Sequence, residues 1–237
     1  MKRFSNRYIF LFSSIMVILV AALLSSAAML LQPIQQRNFE IEKKKNILAS
    51  IGIESSRASV EPMYEKYISE TCVVNTGGEY LDDLVAFEVN LKKEVRKPRE
   101  ERALPVFIGI LDNGEKRFIV PVEGKGLWGP IYGYVSFMQD LTSISGTIFD
   151  HDGETPGLGA EINTDKFQDQ FIGKKIFDED GNFISIILVK GIADPESLNE
   201  VDAISGGTLT SKGLEAMLYD CLLNYETYFK NQKELQK

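Results

Sequence analysis

Asp202, Ser205, Gly206, Gly207 and Thr208 stand in the run Asp-Ala-Ile-Ser-Gly-Gly-Thr-Leu-Thr-Ser, with two glycines directly before a hydroxyl. A helical apolar pattern opens a few residues later. Glycine lets backbone approach a ligand closely, and the free N–H groups at a helix start favour an anion. The chemistry this stretch suits is holding a phosphate near Thr208, with Leu209 and Thr210 beside it. A Gly-Gly pair before a helix also serves as a plain turn, and the residues alone leave that alternative open.

Other chemistries are poorly supplied. His151 is the sole histidine, and Cys72 and Cys221 are the two cysteines. Without a CxxC or Cys/His cluster, no zinc or iron–sulfur site is expected, and no metal ligands are assigned. No GxSxG nucleophile motif occurs for a serine hydrolase. No GxGxxG follows a strand, so direct nicotinamide binding by this chain is not expected. The net charge of −8 argues against a nucleic-acid partner. Cys72 and Cys221 would serve either as two separate thiols or, outside the cytoplasm, as a disulfide.

Two further stretches stand out, His151-Asp-Gly-Glu-Thr-Pro-Gly-Leu-Gly-Ala-Glu-Ile162 and Gly126-Leu-Trp-Gly-Pro-Ile-Tyr132. Each has a plain structural account: Trp128 as core or interface, Pro156-Gly157 as a turn, Glu154 as a solvated charge. With the Thr208 stretch and residues 103–122, however, they resemble the FMN-binding domain family. Within it they look like the C subunit of sodium-pumping NADH:quinone reductases. Asp202-x-x-Ser205-Gly206-Gly207-Thr208 is similar to the flavin-transferase acceptor motif, with Gly207 where alanine is usual.

That resemblance implies FMN joined through its phosphate to Thr208 by a transferase that uses FAD and releases AMP. It implies a ring slot walled by Leu127, Trp128 and Leu158, with polar contacts from Glu154, Thr155 and the Gly157–Gly159 backbone. Lys190 would face the flavin or its phosphate, or else be a surface lysine at a strand end. The implied partners are the other subunits of a membrane redox pump, the flavin transferase and the lipid bilayer. The electron work would be the flavin's, with no catalytic acid or base on this chain. The G subunit of the ferredoxin:NAD oxidoreductase complex shares two of the motifs and is the alternative assignment. A cofactor-free anchored interaction module and a free-standing flavoprotein reductase are the remaining rivals.

These residues need elements to position them. Residues 8–31 form one uncharged apolar run, long enough for the roughly 20 residues that cross a bilayer. Lys2, Arg3 and Arg7 precede it, which predicts a cytoplasmic tail at 1–7 and an extracytoplasmic main domain, in the inner membrane of a bacterium. The run exceeds a secretory h-region and continues past Ser25–Ala28, so an uncleaved anchor is expected rather than a signal peptide. A single uncharged span offers no ion path.

Residues 32–102 are expected to connect, with helices over 35–50 and within 51–69, a turn at Gly77-Gly78, a strand in 84–95 and a charged loop over 92–102. Residues 103–237 are expected to form the FMN-binding domain. Asp112-Asn113-Gly114 between apolar runs predicts a hairpin of 106–111 with 117–122. Strands follow at 131–137 and 144–149, a helical turn at 166–170, and a second hairpin pairing 174–177 with 183–189. Leu214, Met217, Leu218, Cys221, Leu222 and Tyr225 repeat at helical spacing, with Ser211 as N-cap. Antiparallel hairpins with helices gathered near the ends predict an α+β fold: a single transmembrane helix, then an antiparallel-sheet domain with flanking helices.

Overall fold

The computed structural model describes residues 5–235, so Lys2 and Arg3 of the expected cytoplasmic tail lie outside the described residues. Two compact units divide the chain, residues 1–43 and 44–237. The first holds most of helix α1 (Asn6–Ser50). Its apolar stretch from Tyr8 to Ile34 is exposed throughout, with a mean hydropathy of 2.5 in its most apolar 18-residue window. The helix is long and apolar enough to cross a membrane. The helix runs unbroken through Ser25–Ala28 and through Pro33. The separate helix expected from residue 35 is therefore the same helix. Proline forfeits one backbone bond, a loss that a long helix absorbs.

The second unit is built on a five-stranded antiparallel sheet in sequence order, β1 (Ile68–Val74), β2 (Leu104–Ile110), β3 (Lys116–Lys125), β4 (Pro130–Phe137) and β5 (Ile144–His151). The β2–β3 hairpin turns at Asp112–Gly114 as its sequence requires, with Ile110 paired to Lys116. Both faces of the sheet are covered, which is why Phe118 to Val122 are buried without alternation. On one face, Ile47, Leu48 and Ile51 from the end of α1 join helix α2 (Val60–Tyr67), and Ser136 Oγ donates to the Ser50 carbonyl. Phe118, Val120, Val122, Ile131, Val135 and Phe149 point to the other face and build the main core.

Helices α5 (Thr208–Asn224) and α6 (Glu226–Leu235) cover that face. All six residues of the apolar repeat in α5 and its cap are buried. Cys72 and Cys221 are free thiols, and burial pushes each to about 11.

The remaining segments depart from expectation in three places. Residues 84–95 form turns and the short helix α3 (Leu91–Glu94), capped by Asn90, instead of a strand. Ile68 and Ser69 belong to β1 rather than to the helix before it. After the short helix α4 (Asp165–Gln168), the second hairpin shrinks to one bridge, Phe177 to Phe183. Ser185 takes φ +55, which ends the extended run. The chain then enters β6 (Ile187–Val189), which pairs in parallel with β7 (Glu200–Asp202).

Candidate flavin site

Helix α5 begins at Thr208, with Gly207 as its N-cap and no side chain capping it. Ser211 is not the N-cap: it lies buried in the first turn, and its Oγ accepts from the Ile204 N–H at 3.0 Å. The first bond of the helix runs from Ser211 N to Gly207 O, 2.8 Å. The N–H groups of Thr208, Leu209 and Thr210 thus have no partner within the helix. Gly206 holds φ +75, a conformation that glycine adopts without strain and that turns the chain into the helix.

The three stretches singled out above meet at this helix start. A Cβ on Gly206 would strike Leu158, and one on Gly207 would come within 2.8 Å of Ile204 Cγ2 and 3.4 Å of the Gly159 Cα. One turn along α5, a Cβ on Gly213 would collide with the Lys125 carbonyl and approach Gly126. The bare backbone of the glycines is what lets the 126–129 turn, the 154–159 turn and α5 touch.

Glu154 ties them together. It is buried, with 5% of its surface exposed. Its Oε1 accepts from the Trp128 N–H at 2.9 Å, and its Oε2 from the Thr210 hydroxyl at 2.6 Å. Desolvation pushes its carboxyl upward. Bonds from the Thr210 hydroxyl and the Trp128, Leu127 and Gly129 N–H groups outweigh that and hold it below the usual carboxylate range. His151 Nδ1 accepts the Glu154 N–H at 3.2 Å and fixes its backbone.

Four large apolar side chains stay exposed around this knot: Trp128 at 70%, Leu209 at 58%, Leu127 at 45% and Leu158 at 42%. Thr155, Gly157 and Thr208 are exposed, whereas Gly159 and Thr210 are buried. Asp202 sits to one side, its Oδ1 accepting from Ala193 N at 2.7 Å and pinning the loop after β6. Lys190 is exposed at the end of β6. Ser205 is exposed beside Gly206.

The residues fit FMN by three observations. An uncapped helix start suits a phosphate, an exposed hydroxyl stands at its first residue, and a group of uncovered apolar side chains surrounds both. The Glu154–Thr210 pairing was not legible, because nothing in a lone glutamate of a Gly-rich turn announces which threonine it meets.

This arrangement, a five-stranded antiparallel sheet whose covering helix starts on a glycine-rich turn, is that of an FMN-binding domain by its match to the family model. The family model of that domain matches residues 126–223. The C subunit of the Na(+)-translocating NADH-quinone reductase of Haemophilus ducreyi is 30% identical, over 84% of this chain and 82% of its own length. That of Vibrio anguillarum is 34% identical over 86% of each. Among solved structures, the C subunit of the same reductase from Parabacteroides distasonis superposes with a TM-score of 0.78 at 39% identity, covering 84% of this chain and 96% of that one. NqrC from Shewanella oneidensis gives 0.70 at 26%, covering 82% and 98%. The chain belongs to the C-subunit family of the Na(+)-translocating NADH-quinone reductase. That membership favours the quinone reductase over the ferredoxin-linked alternative, and the domain match speaks against a cofactor-free module.

Proposed function

We propose that this chain is the membrane-anchored FMN carrier of a sodium-pumping NADH:quinone reductase, with the flavin esterified to Thr208. The observation that carries it is the choice between two threonines. Thr208 is exposed at the uncapped start of α5, whereas the Thr210 hydroxyl is buried and committed to Glu154. Only the first can receive a bulky phosphate.

In the attachment step Thr208 Oγ bonds to the FMN-side phosphorus of FAD, the pyrophosphate bond breaks, AMP leaves, and the hydroxyl proton passes to solvent. A flavin transferase catalyses it. The free N–H groups at the start of α5 would hold the FMN phosphate. FMN supplies reversible electron uptake and release when bound. The chain's own residues position and shield it: Leu127, Trp128, Leu158 and Leu209 offer apolar surface for a flat ring, and Glu154 holds Trp128 in register with α5. Asp202 shapes the neighbouring loop, and Lys190 is exposed at the end of β6.

The α1 segment anchors the chain in the bacterial inner membrane with the main domain outside the cytoplasm, and the other subunits supply NADH oxidation and the ion path. A covalent tether suits that side, where a lost cofactor is not readily replaced. The test is coexpression with a flavin transferase, denaturation and in-gel ultraviolet fluorescence. The fluorescence survives denaturation in the wild type and disappears in Thr208→Ala. A wild-type chain that stays dark beside an active transferase contradicts the assignment.

A further inference from the structure

A groove of about 790 Å³ lies between the 91–102 segment, the end of β3 and the outer side of α5. Its floor is small and apolar, formed by Gly124, Pro130, Gly213, Ala216 and Met217. Its rim carries five cations, Lys92, Arg96, Arg99, Arg102 and Lys125, against two acids, Glu123 and Asp220. That is a local excess of three positive charges in a chain whose net charge is −8.

Lys92 and Arg96 stand near enough to Glu123 to act on its carboxylate, but not as close ion pairs. Among the described residues none of the five forms an ion pair, while Lys97 on the same segment pairs with Glu94 at 2.8 Å. Arg99 and Arg102 are fixed in place by neutral acceptors. Arg99 donates to the Leu223 carbonyl at 2.9 Å, and Arg102 to the Val95 carbonyl at 2.9 Å and to Asn224 Oδ1 at 3.3 Å. Their charge is therefore held at the groove without being neutralised. Lys125 and Gly129 flank the turn that carries Leu127 and Trp128, so an occupant would press on the back of the flavin site.

Resting on the carrier assignment, we propose that this groove docks an acidic extracytoplasmic segment of a neighbouring subunit and so seats the flavin against its redox partner. Charge complementarity selects the occupant and fixes the register of docking. The small floor admits a polypeptide backbone, and the exposed Lys92, Arg96, Arg99 and Lys125 offer cationic donors for carboxylates, whereas the Arg102 guanidinium is already engaged on all three nitrogens.

The test uses the whole membrane complex, isolated through a tag on another subunit and washed with increasing NaCl. In the triple variant Lys92→Glu, Arg96→Glu, Lys125→Glu, retention of this chain drops about tenfold at moderate salt, while Lys116→Glu, outside the groove, behaves as wild type. Flavin fluorescence of the triple variant stays at the wild-type level. A dark wild-type chain would count against the carrier assignment, whereas darkness of the triple variant alone would overturn the docking proposal, as would undiminished retention. A photo-crosslinking residue at position 96 gives adducts with an acidic segment of another subunit. Adducts with lipid alone would make the groove a membrane-facing surface and overturn the proposal.

Discussion

Glu154 is a carboxylate removed from water and held by a hydroxyl and three backbone N–H groups. Its affinity for a proton is lowered by folding, so by linkage its stabilisation is complete above its ordinary pKa of 4.5 and is lost as pH falls through the lower native value. Glu154→Gln should therefore lower the melting temperature at neutral pH, by the equivalent of about 1–3 kcal/mol. The gap to wild type should narrow below about pH 4.5. Thermal melts of both proteins across pH check it, and a gap independent of pH would contradict the assignment of a buried anion. Thr210→Val removes a donor from the same carboxylate and should cost about 1–2 kcal/mol while leaving flavin on Thr208. Denatured-gel fluorescence beside a melt separates the two effects. The glycine turn before the helix at Thr208 was legible from sequence. The role of Thr210 was not, because the two hydroxyls differ only in burial, and burial is decided by the turn at Glu154.

Helix α5 is the element on which the site depends, since it supplies Thr208 and packs the sheet with Leu214, Met217, Leu218, Cys221 and Leu222. Its apolar spacing was readable from sequence, as were the β2–β3 hairpin with its Asn-Gly turn and strands β4 and β5. Its start was not: Ser211 looked like the N-cap, but its hydroxyl accepts from Ile204 N inside the first turn, and Gly207 takes the cap position. β6 was misjudged for a similar reason. Local pattern suggested a hairpin, whereas the positive φ of Ser185 redirects the chain to a parallel partner.

Close backbone approach along α5 gives two further predictions. Gly213→Ala places a methyl against the Lys125 carbonyl, which backbone must move to relieve, at a cost of about 1–3 kcal/mol. Gly207→Ala restores the residue more usual in the acceptor motif but brings a methyl within 2.8 Å of Ile204 Cγ2. Because a side chain can shift more readily than a carbonyl, it should cost less than Gly213→Ala and keep flavin attachment. Urea unfolding of both variants ranks them, and the reverse order would contradict the packing described.

At the scale of the whole molecule, an apolar anchor precedes a domain with its own two-sided core. The domain begins inside α1, because Ile47, Leu48 and Ile51 are buried on the sheet and Ser136 bonds to the Ser50 carbonyl. A chain starting at Lys44 should remain in the supernatant and melt cooperatively. One starting at Glu54 loses three buried side chains and should melt at markedly lower temperature, which differential scanning calorimetry checks. The sequence marked the anchor plainly by its length without charge. It did not mark residues 44–51 as core, because their apolar positions read equally well as one face of a solvated helix. Nor did it mark the basic groove, whose charges come together only when the 92–102 segment folds against α5 and β3. The central claim is a flavin on one hydroxyl, and peptide mass spectrometry of the full chain purified with its transferase tests it most directly. The account predicts that Thr208 alone carries the mass of FMN less one water; the same increment on Ser205, Thr210 or Ser211, or none on any of them, would contradict it.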